Sequence, residues 1–159
     1  MKTLRRYDLR DRLCFITVVT YRREPLLLLD PSLFNNSWGR VELIGWVVLP
    51  EHFHAIVDVG VLSISQLMHS FKIRYSRSFR DQFRPGRVWQ NRFWDHIIRD
   101  QNDLNRHIDY IHYNPVKHKI VRNPFEYSQS SLDHYYRSGL YARDWGIKET
   151  LTFEGEFGE

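Results

Sequence analysis

Two histidines separated by one residue, His52-Phe53-His54, stand in the apolar run Trp46-Val47-Val48-Leu49-Pro50-Glu51-His52-Phe53-His54-Ala55-Ile56-Val57. Residues i and i+2 of a strand share a face, so Phe53 can enter a core while both imidazoles meet something else. Neutral imidazoles side by side form half of a metal site. With eight His in 159 residues, about 0.4 such pairs arise by accident, so the pair needs partners before it means anything. The partners stand some sixty residues on: Tyr110 and Asn114 lie at i and i+4 of a predicted helix and project from adjacent turns of one face. By themselves Tyr110 reads as a partly buried aromatic and Asn114 as a cap before Pro115; beside the histidine pair they become candidates to reach the same site.

The elements that must position these groups are legible in outline. Leu13–Tyr21 is β-branched and aromatic and reads as a strand. Asp30-Pro31 can start a helix, which Asn35-Asn36-Ser37-Trp38-Gly39 must end early. Val41–Leu49 and His52–Val59 read as a hairpin across Pro50-Glu51. From Ser63, the spacing of Ile64, Leu67, Met68, Phe71, Tyr75 and Phe79 is that of a helix with an apolar core stripe. Pro85-Gly86 breaks it, Phe93–Ile98 reads as a fourth strand, and Asp100 caps a helix that Pro115 is expected to stop near Asn114. The order β-α-β-β-α-β plus a helix predicts an α+β fold: a ferredoxin-like split β-α-β sandwich. Its four-stranded antiparallel sheet carries helices on one face and an added C-terminal catalytic helix. Residues 1–146 are expected to form one domain and 147–159 a short acidic tail that frays.

Composition narrows the class of function. The net charge is +4, with Arg outnumbering Lys eighteen to five. Between positions 72 and 92 stand Lys72, Arg74, Arg77, Arg80, Arg84, Arg87 and Arg92 against one acid, Asp81, interleaved with aromatics. Guanidinium groups for phosphates and rings for stacking are the composition of a nucleic-acid surface. The single cysteine, Cys14, allows no disulfide framework and reads as a buried inert thiol. With no apolar run long enough to span a membrane and no signal-peptide pattern, the chain reads as cytoplasmic.

Several motifs in the same order carry a resemblance. Val-Val-Leu-Pro-Glu-His-Phe-His is similar to the HUH motif (U hydrophobic) of the single-tyrosine HUH transposases. Ser65–Arg80, Trp89-Gln90-Asn91-Arg92-Phe93, Tyr110-Ile111-His112-Tyr113-Asn114-Pro115-Val116-Lys117, Ser130-Ser131-Leu132-Asp133-His134-Tyr135-Tyr136 and Asp144-Trp145-Gly146 resemble the REP-associated tyrosine transposases in particular. The resemblance covers roughly residues 10 to 146. It implies that His52, His54 and the Asn114 side-chain oxygen hold Mg²⁺ or Mn²⁺, and that Tyr110 attacks a scissile phosphate of single-stranded DNA. The products are a 5′-phosphotyrosine and a free 3′-OH, with hairpin-forming repeat DNA as substrate and no nucleotide cofactor. The basic helix, the Pro85–Arg92 loop, Lys117 and Lys119 are the expected DNA contacts, and the protein is a monomer or homodimer.

Two departures from the family stand out. Glu51 occupies a position usually Asn or Asp, with little effect expected. Leu26–Arg40 is about a dozen residues short, which predicts a helical stub and apolar surface left open for a partner chain. The alternatives are a non-catalytic relic that binds single-stranded or hairpin DNA, and a zinc hydrolase using Glu51 with the histidines. Tyr113, one turn from Tyr110, is the alternative nucleophile.

Overall fold

The computed structural model describes residues 12–159. Four strands, β1 (Leu13–Val19), β2 (Glu42–Val48), β3 (His52–Asp58) and β4 (Trp94–Ile97), form one antiparallel sheet in the order β2-β3-β1-β4. This is the split β-α-β order predicted from the element sequence. Helices α1 (Ser32–Ser37) and α2 (Ile64–Gln82) precede α3 (Gln101–Lys117) and a short α4 (Leu132–Arg137). None of these helices is long and apolar enough to cross a membrane.

Strand alternation sorts the core into two layers. Cys14, Ile16, Val18, Phe53, Ala55 and Val57 face α1 and α2, where Leu67, Met68, Phe71, Tyr75 and Phe79 cover them. Leu13, Phe15 and Ile56 face Leu104, Ile108, Tyr110 and Ile111 of α3. The first two helices therefore share one face and the added helix takes the other, which leaves β1 and β3 buried along nearly their whole length. Cys14 lies in the first layer, its thiol pushed up to about 12 mainly by burial, and it is inert.

Local signals fix the helix starts. Ser63 and Gln66 form a reciprocal capping box, Gln66 N donating to Ser63 Oγ at 3.2 Å and Ser63 N to Gln66 Oε1 at 3.0 Å. Asp100 accepts from Asp103 N at 2.8 Å and opens α3. Asp30 accepts from Ser32 N at 3.1 Å at the start of α1. That helix is the predicted stub, and its end of the segment still covers the sheet, although Leu29 before it is exposed. Phe34 and Trp38 are buried, with Phe34 5.0 Å from Phe53 and Trp38 4.2 Å from Phe71 between ring centroids. Two aromatic rings do the covering that a longer helix of smaller side chains would do.

Pro115 does not end α3, which runs on to Lys117. Proline deletes only its own bond back to the preceding turn, and the next turn closes without it: His118 N donates to Asn114 O at 3.0 Å. The extra turn carries Lys117 and His118 past the sheet end.

Helix α3 is seated by a buried polar ladder. His112 is fully buried, its Nε2 2.7 Å from Ser131 Oγ and its Nδ1 2.8 Å from Tyr141 Oη, which donates to Asp109 at 2.9 Å. Burial holds the His112 imidazole down to about 3, so it is neutral. Gly45 of β2 marks the closest approach, since a Cβ there would stand 2.5 Å from Ile108 Cδ1.

A candidate active site where the tail meets the histidines

His52 and His54 point to the α3 face at the end of the sheet, where His52 pairs with Val19 and His54 with Thr17. Both rings are buried, their centroids 5.0 Å apart. An outer partner orients each. His52 Nδ1 lies 2.9 Å from Glu51 Oε1, and His54 Nδ1 lies 2.7 Å from Thr17 Oγ1. Thr17 spends its own hydrogen on the Phe157 carbonyl, so it accepts from His54. Both Nδ1 hydrogens are thereby committed and both Nε2 lone pairs converge, the arrangement of metal-bound histidine. Burial, only partly offset by Glu159, holds His54 down to about 4 and leaves it a neutral donor. Glu51 sits on the Nδ1 side of His52, away from the converging nitrogens, which removes it as the base of a zinc hydrolase.

Tyr110 and Asn114 arrive on α3, both buried. The Tyr110 ring lies 5.3 Å from that of His54, and Lys117 Nζ donates to the Tyr110 hydroxyl at 3.0 Å. Tyr113 turns to the other side of the helix, against Trp145 and Phe153, with Leu151 N donating to its hydroxyl at 3.3 Å. Of the two tyrosines only Tyr110 faces the histidines.

The tail, expected to fray, packs against this site. Phe157 is buried and stacks on Tyr110, with centroids 3.8 Å apart and planes at 10°. Phe153 meets the same ring edge-on at 5.5 Å. Glu159 then enters the space between the donors. Its Oε1 lies 2.7 Å from His54 Nε2, 3.5 Å from His52 Nε2 and 3.1 Å from His118 Nε2, and accepts from Asn114 Nδ2 at 2.8 Å. Lys117 pairs with its other oxygen. Burial opposes the charge on Glu159, but its surroundings, His118 first and then His52 and His54, outweigh it and hold the carboxyl far below the usual range. The same strap of residues 153–159 acts on Tyr110: burial first, then the Glu159 carboxylate, raises its phenol well above the ordinary value.

Two buried atoms here have no hydrogen-bond partner among the described residues, His52 Nε2 and Asn114 Oδ1. Both are cation ligands by type, and imidazole lone pairs facing a carboxylate call for a positive centre between them. His52, His54, Asn114 and Glu159 therefore fit a divalent ion. A second cluster, His96, Asp103 and His107, does not. Asp103 already accepts from His96 and Arg99 N on one oxygen and pairs with Arg106 and His107 on the other, and so ties β4 to α3.

The basic residues divide. Lys72, Arg77, Arg80 and Arg87 line an open groove of about 480 Å³ between α2 and residues 88–91. Lys72 donates to Gln90 O at 2.9 Å, and burial, aided by Arg87, brings its ammonium down to about 8. Arg74 instead lies against Ser37 O at 3.5 Å, and Arg84 pairs with Glu24. Arg92 and Lys119 are exposed. Residues 88–90 run beside the end of β1, with Trp89 bridged to Thr20 and Gln90 N bonded to Val19 O. The groove thus opens at the same end of the sheet as His52, on the opposite face. Lys117 belongs to the tyrosine rather than to this surface. His118 and Glu159 are the site residues that sequence reasoning missed.

Comparison with known proteins agrees with this geometry. Residues 35–114 match the family described as Transposase IS200 like. The chain is 33% identical to the REP-associated tyrosine transposase of Escherichia coli over 98% of both chains. It is 30% identical to a Haemophilus influenzae protein assigned to the same transposases, over 98% of this chain and 99% of that one. The structure superposes on that of a REP-associated tyrosine transposase bound to a REP hairpin with a TM-score of 0.82 at 30% identity, over 100% of this chain and 98% of that one. With its histidine pair, helical tyrosine and asparagine in one place on this sheet, the chain belongs to the REP-associated tyrosine transposases.

Proposed function

We propose that this protein cuts single-stranded DNA beside a hairpin and rejoins it through a tyrosine–phosphate link. The observation that carries the reading is the convergence of two imidazole Nε2 atoms, the Asn114 amide and the Tyr110 phenol at one end of α3. A divalent ion, Mg²⁺ or Mn²⁺, held by His52, His54 and Asn114 would withdraw charge from the oxygens of the scissile phosphate.

The remaining steps fall to side chains. Tyr110 Oη attacks phosphorus, the bond to the 3′ oxygen breaks, and a 5′-phosphotyrosine and a free 3′-OH result. The covalent link conserves the phosphodiester, so a second 3′-OH can reverse the step without a nucleotide cofactor. Lys117, 3.0 Å from the phenol oxygen, supplies the positive charge that favours phenolate over phenol. Glu51 and Thr17 hold the two imidazoles in the donor tautomer. Lys72, Arg77, Arg80 and Arg87 take the phosphate backbone in the groove, with Arg92 and Lys119 as flanking contacts and Arg74 and Arg84 further along α2.

The test is incubation of the protein with labelled single-stranded repeat DNA and Mn²⁺ or Mg²⁺, resolved on a denaturing gel. A metal-dependent, heat-stable adduct that disappears in Tyr110→Phe supports the reading. An adduct that persists in Tyr110→Phe refutes the nucleophile. One observation favours a second reading, a hairpin-binding protein that does not cut: Glu159 and Phe157 fill the space between the histidines and Tyr110. Tight binding with no adduct, even after the strap is released, would establish it.

A further inference from the structure

We propose that His118 is a third imidazole ligand of the divalent ion, which gives the site a preference for Mn²⁺ over Mg²⁺. The inference rests on the metal-dependent reading above and concerns a residue that lies outside the His-x-His pair and the Tyr110–Asn114 turn.

The placement follows from the backbone. Because α3 continues through Pro115, His118 falls four residues after Asn114, and its own N–H closes the turn on Asn114 O at 3.0 Å. Its ring thereby stands over the same end of the sheet as the histidine pair. The His52 and His118 ring centroids are 5.0 Å apart, the separation of His52 and His54. Its Nε2 lies 3.1 Å from Glu159 Oε1, the oxygen that also sits within 3.5 Å of both other Nε2 atoms. One point is thus ringed by three imidazole nitrogens and the Asn114 amide. The side chain of His118 is 31% exposed while the other two imidazoles are 0–1% exposed. It is the exposed donor, at the mouth of the site.

A set of two imidazoles and an amide oxygen accepts Mg²⁺ readily, whereas a third imidazole favours ions that bind nitrogen better. The competing role, that His118 only anchors Glu159, predicts the opposite sign. Loss of an anchor frees the strap and strengthens ion binding, while loss of a ligand weakens it.

The experiment is calorimetric titration of the full chain with MnCl₂ and with MgCl₂, without DNA, in wild type, His118→Ala, His118→Gln and His54→Ala. Electron spin-echo spectra of bound Mn²⁺ count the coordinated imidazole nitrogens alongside. A ligand role gives a Mn²⁺ affinity at least about tenfold weaker in both His118 variants, a smaller change for Mg²⁺, and one nitrogen coupling fewer. Mn²⁺ affinity equal to or above wild type in both variants, with the nitrogen count unchanged, overturns the proposal. If His54→Ala abolishes binding in that case, the metal site itself still stands. No Mn²⁺ bound by wild type overturns both.

Discussion

Gly158→Ala should open the active site without removing any side chain that touches it. Gly158 has φ +76°, and a Cβ there would lie 2.2 Å from Trp94 Cβ and 2.4 Å from Trp94 Cγ. These atoms are the root of a side chain fixed on β4, so the collision cannot be relieved by a rotamer change. A left-handed backbone costs a non-glycine residue about 1 kcal/mol, and forced overpacking adds about 2 kcal/mol. A shift of about 3 kcal/mol against the closed strap raises its open population roughly a hundredfold. Phe157 and Glu159 remain in the sequence but lose their seat on Tyr110 and between the histidines. If the strap shuts out phosphate, single-turnover nicking should rise by up to the same factor, until the open form dominates. The pH–rate profile should also move to lower pH, because burial and the Glu159 carboxylate, the two causes that raise Tyr110, are relieved together. Hydrogen exchange over residues 150–159 reports release of the strap, and a labelled strand reports nicking. The reasoning fails if exchange shows the strap released while the nicking rate stays within twofold of wild type.

Three further outcomes test the scaffold. Gly45→Ala should cost about 1–3 kcal/mol in urea unfolding, since its methyl would meet the buried Ile108 Cδ1 at 2.5 Å; adding Ile108→Val removes that atom and should recover part of the loss, and simple additivity would refute the contact. Glu51→Gln should weaken Mn²⁺ binding about tenfold through poorer orientation of His52, and an unchanged titration would return Glu51 to the role of a turn residue. The protein should also lose stability in acid. The unfolded chain protonates His112 below its ordinary 6.5 while the folded ring stays neutral until about 3. The stability conferred by the neutral ring is therefore full above 6.5 and drains as pH falls toward 3, about 2 kcal/mol by pH 5. His54 and His107, held at about 4, act with the same sign. Urea midpoints at pH 7.5 and 5.0 measure the total, and His112→Gln should flatten the slope by about one proton.

What the sequence showed and what it hid divide along contact range. Period and capping are local properties, so strands, helix starts and the His52–His54 face could be read from neighbours alone. The i,i+4 relation of Tyr110 and Asn114 was equally local. His118 is hidden by a local rule: the sequence predicts a stop at Pro115, yet a proline near a helix end forfeits one hydrogen bond and the turn after it still closes. Had α3 been allowed that turn, His118 would have stood at i+4 from Asn114. The strap was hidden for a different reason. Phe153 and Phe157 lie in an acidic segment with no helix or strand of its own, and their partners stand far off in the chain, Phe157 on Tyr110 and its carbonyl on Thr17. No periodic pattern announces such a contact. Charge did carry a signal: Glu159 ends a run of acids, and the place it occupies is bounded by Lys117, His118, His52 and His54. An acidic tail in a chain whose site collects cationic and cation-binding groups has a destination in its own fold. On the proposed function a phosphate takes that same place, so the tail and the DNA are expected to compete for the same donors.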